Sequence, residues 1–110
     1  VAVAHDFEAA RSTRGVRLLE PDRAIQLLDH ARSMDWYVTS IETYELDAEG
    51  HPLNADWSML GPDKAGPSPI PPDTLNDIAE RIFRITFEQG LRVLFNVWVA
   101  PRAGFNTRPA

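Results

Sequence analysis

From Pro21 onward the chain repeats apolar residues with the period of a helix. Ala24, Leu27, Leu28, Ala31 and Met34 fall on one stripe, and the residues between them are polar. Pro21 suits the first helical position, where its missing N–H costs nothing, and Asp22 complements the positive end of the helix dipole. This spacing predicts a helix over 21–33. The period then shortens. Residues 36–46 and 53–60 are rich in β-branched and aromatic side chains, and the connection 47–52 holds Gly50 between two acids. Two strands joined as a hairpin are expected there. In the second strand Leu53, Ala55, Trp57 and Met59 share one face, opposite Asn54, Asp56 and Ser58. The first is less regular: Trp36, Val38, Tyr44 and Leu46 share a parity with Ser40 and Glu42. Burying an unpaired carboxylate is costly, so either a bulge near Ser40 shifts the phase or Glu42 has a special role.

Residues 61–72 hold five prolines and two glycines and predict a stiff, irregular loop. Thr74 and Asp77 resemble a capping box, and a second amphipathic helix is expected to run to about Gln89, stopped by Gly90. Its stripe is Leu75, Ile78, Ala79, Ile82, Phe83 and Phe87. Residues 91–100 form the strongest strand signal. Val93, Phe95, Val97 and Val99 make one face and Leu94 and Trp98 the other, as in a strand covered on both sides. A short extended piece, 16–19, is a candidate edge strand before the first helix. The expected architecture is α+β, with a mostly antiparallel sheet of three or four strands, two helices on one face and the order (β)αββαβ. With 16–19 as a true strand, the order is that of a split βαβ, ferredoxin-like arrangement. Residues 1–15 lack a clean period and are read as an irregular arm that packs through Phe7. Residues 16–101 form one domain, and 102–110 a tail.

Composition narrows the chemistry. The chain of 110 residues has no cysteine, which excludes disulfides, thiolate metal sites and a cysteine nucleophile. Its net charge of −5 disfavours general binding to nucleic acid or anionic membrane. No apolar run approaches a membrane span or is framed as a secretory leader, so a cytoplasmic location is expected. His5, His30 and His51 show no ligand spacing. The hairpin loop pairs His51 only with Asp47 and Glu49, a poor cage, and no metal or cofactor is expected. There is no phosphate-binding glycine pattern and no nucleophile elbow. The acid-containing strand 53–60 lacks the aromatic and basic run of an RNA-binding sheet. No catalytic residue is assigned, although Glu42, Asp56 or His51 would serve a small acid–base enzyme.

Charge is strongly segregated. Between Arg32 and Lys64 lie 31 residues with no lysine or arginine and seven acids: Asp35, Glu42, Glu45, Asp47, Glu49, Asp56 and Asp63. Trp36, Tyr37, Tyr44 and Trp57 are interleaved with them. An acidic surface carrying aromatic anchors suits a basic protein partner, steered by charge and held by ring contacts. Glu42, Tyr44, Glu45, Asp47, Glu49 and Asp56 are the candidate partner-binding residues.

The stretch 24–38, AIQLLDHARSMDWYV, resembles the opening helix and strand of colicin-type immunity proteins that neutralise tRNA-cutting toxins. The acidic hairpin ETYELDAEGHP at 42–52, with Asp56, Trp57 and Ser58, is similar to related small bacterial immunity proteins, as is the closing helix and strand over 78–99. The resemblance implies a cytoplasmic inhibitor whose acids stand in for substrate phosphates in the basic groove of a cognate nuclease. The proline loop and the N-terminal arm have no counterpart there. The competing expectation is a ferredoxin-like homo-oligomeric accessory or sensory module, a homodimer paired through 91–100.

Overall fold

The computed structural model describes residues 2–12, 18–59 and 70–105, with side chains over 3–12, 18–53 and 70–103. The elements are α1 (Ala2–Arg11), α2 (Pro21–Ser33), β1 (Trp36–Leu46), β2 (Pro52–Met59), α3 (Pro72–Glu88), β3 (Val93–Pro101) and a single turn, α4 (Arg102–Phe105). The α+β class is as expected, and α2 and β1 fall on their predicted bounds. The proline-rich loop lies outside the described residues over 60–69, as does most of the candidate edge strand.

Strand β1 is central, antiparallel to β2 on one side and to β3 on the other. Leu19 adds one antiparallel bridge on the far edge of β3, exchanging both backbone hydrogen bonds with Phe95 at 2.8 Å. Counting Leu19 as a strand, the second and fourth strands are the central ones. A ferredoxin-like sheet centres its first and third, so that expectation is corrected. The long β1 offers both of its edges to pairing, and β3 separates it from Leu19.

The helices form one layer over one sheet face. Ala24, Leu27, Leu28 and Ala31 of α2 are fully buried against Val38, Ile41, Phe95 and Leu75 of the same core. Phe83 of α3 meets Phe95 with ring centroids 4.9 Å apart. Met34, expected on the buried stripe, is 52% exposed because α2 ends at Ser33 and Met34 becomes its C-cap. The chain then turns through Asp35 at φ 62°, a left-handed conformation that aspartate tolerates better than most residues.

Helix α3 starts two residues before the expected Thr74, because Pro72 presets the first helical turn after Pro71. Its buried stripe is also rotated. Asn76 and Thr86 are buried, whereas Ile78 is 37% and Phe87 55% exposed. Thr86 tolerates burial because its hydroxyl donates back to the carbonyl oxygens of Ile82 and Phe83. Gly90 ends the helix as foreseen. At φ 63° it donates to Phe87 O while Leu91 donates to Thr86 O, the paired bonds of a Schellman cap.

Both chain ends depart from expectation. The N-terminal segment is the helix α1, not an irregular arm. Phe7 sets its ring edge-on to Trp36 and His30, and Arg11 lies over the Trp36 ring at 5.2 Å. Buried Asp6 accepts three bonds from Arg23 at 2.7–3.2 Å, so its charge is paired at entry to the core. At the other end, Pro101 still pairs with Trp36, one residue past the expected end of the strand. The expected tail begins as α4, where Arg102 donates from its amide to Asp35 O and from its guanidinium to Asp35 and Asp73. Among the described residues no helix is long and apolar enough to cross a membrane.

Candidate protein-binding surface

The surface begins with a phase shift in β1. Pairing with β3 runs in register from Trp36 to Val38, gains one residue at Thr39, and resumes from Ser40 to Glu45. Thr39 is therefore a one-residue bulge, the shift that the parity of Glu42 called for. The groups it disturbs find side-chain partners. Thr39 Oγ1 donates to Trp98 O at 3.2 Å, and the Val38 amide donates to Oδ1 of buried Asn76 at 2.8 Å. After the bulge, Ile41 and Thr43 face the helices with Val97 and Phe95, while Ser40, Glu42 and Tyr44 lie opposite Trp98, Asn96 and Leu94 on the other face. No described helix covers that second face. A further two-residue offset separates the Glu42–Ser58 and Tyr44–Asn54 pairs of β1 and β2.

Glu42 is the centre of this face. Its Oε1 accepts a bond from the Tyr44 hydroxyl at 3.1 Å and another from Asn96 Nδ2 at 3.3 Å. Glu42 and Tyr44 are half-buried, and Asn96 is only 5% exposed. Partial burial, then the hydrogen bond to Glu42 and its charge, push the Tyr44 phenol above its ordinary range. Both donors are neutral, and no arginine, lysine or histidine of the described residues pairs with Glu42. Elsewhere carboxylates have cations. Glu80, for example, bonds to Arg84 and Arg32, which hold its carboxyl below the usual range.

The other candidate residues lie along the hairpin. Glu45 is exposed and sits opposite Leu53 and Val93. Asp47 builds the turn: its Oδ1 accepts the amides of Glu49 and His51 at 2.9 and 2.8 Å, and Gly50 closes onto Asp47 O at φ 85°. Glu49 is exposed beside it, and His51 Nδ1 lies 3.5 Å from Asp47 Oδ2. The donor atoms of Asp47, Glu49 and His51 gather within 4.8 Å, but Asp47 Oδ1 is committed to turn amides. Asp56 belongs to β2, and its side chain, like that of Trp57, lies outside the described residues. Glu42 and Tyr44 are thus brought together, with Glu45, Asp47 and Glu49 strung toward the hairpin tip.

Comparison with family models, with characterised proteins and with solved structures returns no match. The site therefore rests on its own geometry. Asn96 is the residue that sequence reasoning missed, although it is the one polar residue between Val93 and Ala100 and stood out for that reason. A groove of about 460 Å³ opens at the hairpin root, where Leu46 and Leu94 meet Phe87 and Leu91. Glu42 does not line it. The carboxylate sits on an open sheet face, an arrangement suited to contact with another macromolecule rather than to enclosing a small substrate.

Proposed function

We propose that this chain is a protein-binding domain that takes a basic partner on its open sheet face and acidic hairpin, as an immunity-type inhibitor does with its nuclease. One observation carries the reading: a half-buried carboxylate, Glu42, without a cation beside it, within a 31-residue segment of seven acids and no lysine or arginine. Charge of one sign on a surface draws an oppositely charged partner and sets its approach. Tyr44, half-buried with its hydroxyl already bonded, offers a ring held in one place, so little side-chain entropy is lost on docking. An inhibitor of a tRNA-cutting enzyme would act in the cytoplasm and occupy the groove that otherwise holds phosphates.

The test uses the protein encoded next to this chain's own gene, purified and assayed for RNA cleavage. Equimolar addition of the chain should abolish cleavage. The triple variant Glu42→Gln, Asp47→Asn, Asp56→Asn should stay folded but associate about tenfold more slowly at low salt, with the difference shrinking as salt rises. A neighbour that neither binds the chain nor loses activity would overturn the inhibitor reading.

A further inference from the structure

We infer that Glu42 is the seat for an arginine side chain of the partner. The inference rests on the basic-partner reading and names the group recognised at its centre. The seat offers acceptors and no spare donors. Glu42 Oε1 already holds the Tyr44 hydroxyl and the Asn96 amide, which leaves Oε2 as an acceptor and the negative charge uncompensated. Asn96 has turned its one donor group, Nδ2, to Glu42 and retains its carbonyl oxygen. A surface of this kind is completed by a group that is cationic and donates only. Guanidinium and ammonium both qualify.

The surroundings select the guanidinium. Tyr44 lies two residues from Glu42 on the same strand face, and Trp98 lies diagonally across on β3, about 7 Å away by strand geometry. Both rings are half-buried. A planar, weakly hydrated guanidinium can bond to a carboxylate edge-on while its face rests against an aromatic ring, whereas a strongly hydrated ammonium must first shed water. The two bonds into Oε1 fix the carboxylate, so the incoming fork meets an oriented acceptor.

The experiment titrates the isotope-labelled chain at low salt with hexa-arginine and, separately, hexa-lysine, following backbone and side-chain amide resonances. The wild type should bind hexa-arginine about fivefold more tightly than hexa-lysine, with the Asn96 side-chain amide among the largest shifts. Glu42→Gln preserves the acceptor for Tyr44 and Asn96 and removes only the charge. It should erase the preference, while Glu88→Gln, an exposed change on α3, should leave it intact. Equal affinity for the two peptides, or a preference that survives Glu42→Gln, would overturn the arginine seat while leaving a basic-partner surface in place. If neither peptide shifts any resonance of β1, β2 or their loop, the basic-partner reading itself fails. Should Glu42→Gln unfold the chain, Tyr44→Phe replaces it: the fixed carboxylate loses one of its two bonds, and the preference should fall by about half.

Discussion

The two faces of the sheet are made from alternate residues of the same strands, yet they answer to different demands. On the helix-covered face Val38, Ile41, Phe95 and Val97 are buried with Phe83 and Leu75, and the single polar intruder, Thr43, has a hydroxyl with no hydrogen-bond partner among the described residues. That face accepts an unsatisfied group because apolar packing around it is dense. On the open face Glu42, Tyr44 and Asn96 satisfy one another but leave a full negative charge without a counterion. The first face is complete within the chain. The second is complete only with something from outside it, and this difference separates a core from a recognition surface.

Three measurements bear on that contrast. The largest effect belongs to the covered face. Phe95→Ala or Phe83→Ala removes a fully buried ring and should cost about 3–5 kcal/mol in chemical denaturation. A near-native midpoint for either would mean that the helix layer does not define the core. Next is the residue that keeps the two faces apart. Asn76→Ala leaves the buried Val38 amide without its acceptor and should cost about 1–3 kcal/mol. It should also broaden the amide resonances of 37–41; unperturbed resonances there would show that the bulge does not depend on α3. The smallest effect lies on the open face. The Tyr44 phenol holds its proton to higher pH in the folded chain than in the unfolded one, so its contribution to stability is full below about pH 10 and is lost as pH rises through the raised folded value. In an absorbance titration, Glu42→Gln should bring one tyrosine ionisation part of the way back toward the ordinary range, the remainder being due to burial. No change would mean that the Tyr44–Glu42 bond does not form in solution.

Much of this architecture was legible in the pattern of side chains. Helix α2, strand β1 and the Gly90 stop were all expected from periodicity and cap chemistry, and the parity conflict at Glu42 required the bulge found at Thr39. What escaped has physical causes. Helix α1 offers only Phe7 as a large buried side chain and is held by long-range contacts, the Asp6–Arg23 pair and the Arg11–Trp36 stack, which no local period announces. In α3 the buried positions include Asn76 and Thr86, so counting apolar residues alone rotated the stripe toward Ile78 and Phe87. For the candidate surface, acids and rings were readable as composition. Their assembly into one bonded cluster was not, because it depends on register with β3 and on Asn96, which hides in an otherwise apolar strand.

The bulge at Thr39 has an evolutionary consequence. Substitution along β1 changes one side chain at a time, but losing one residue between Trp36 and Ser40 would exchange the faces of the rest of the strand, driving Glu42 into the helix layer and Thr43 outward. Gaining one would do the same. Sequences descended from this chain can therefore drift in residue type on the open face, and so retune which partner they accept, as long as this short count is kept. Variation in length is free to accumulate at the hairpin tip instead, where an added residue disturbs no buried partner.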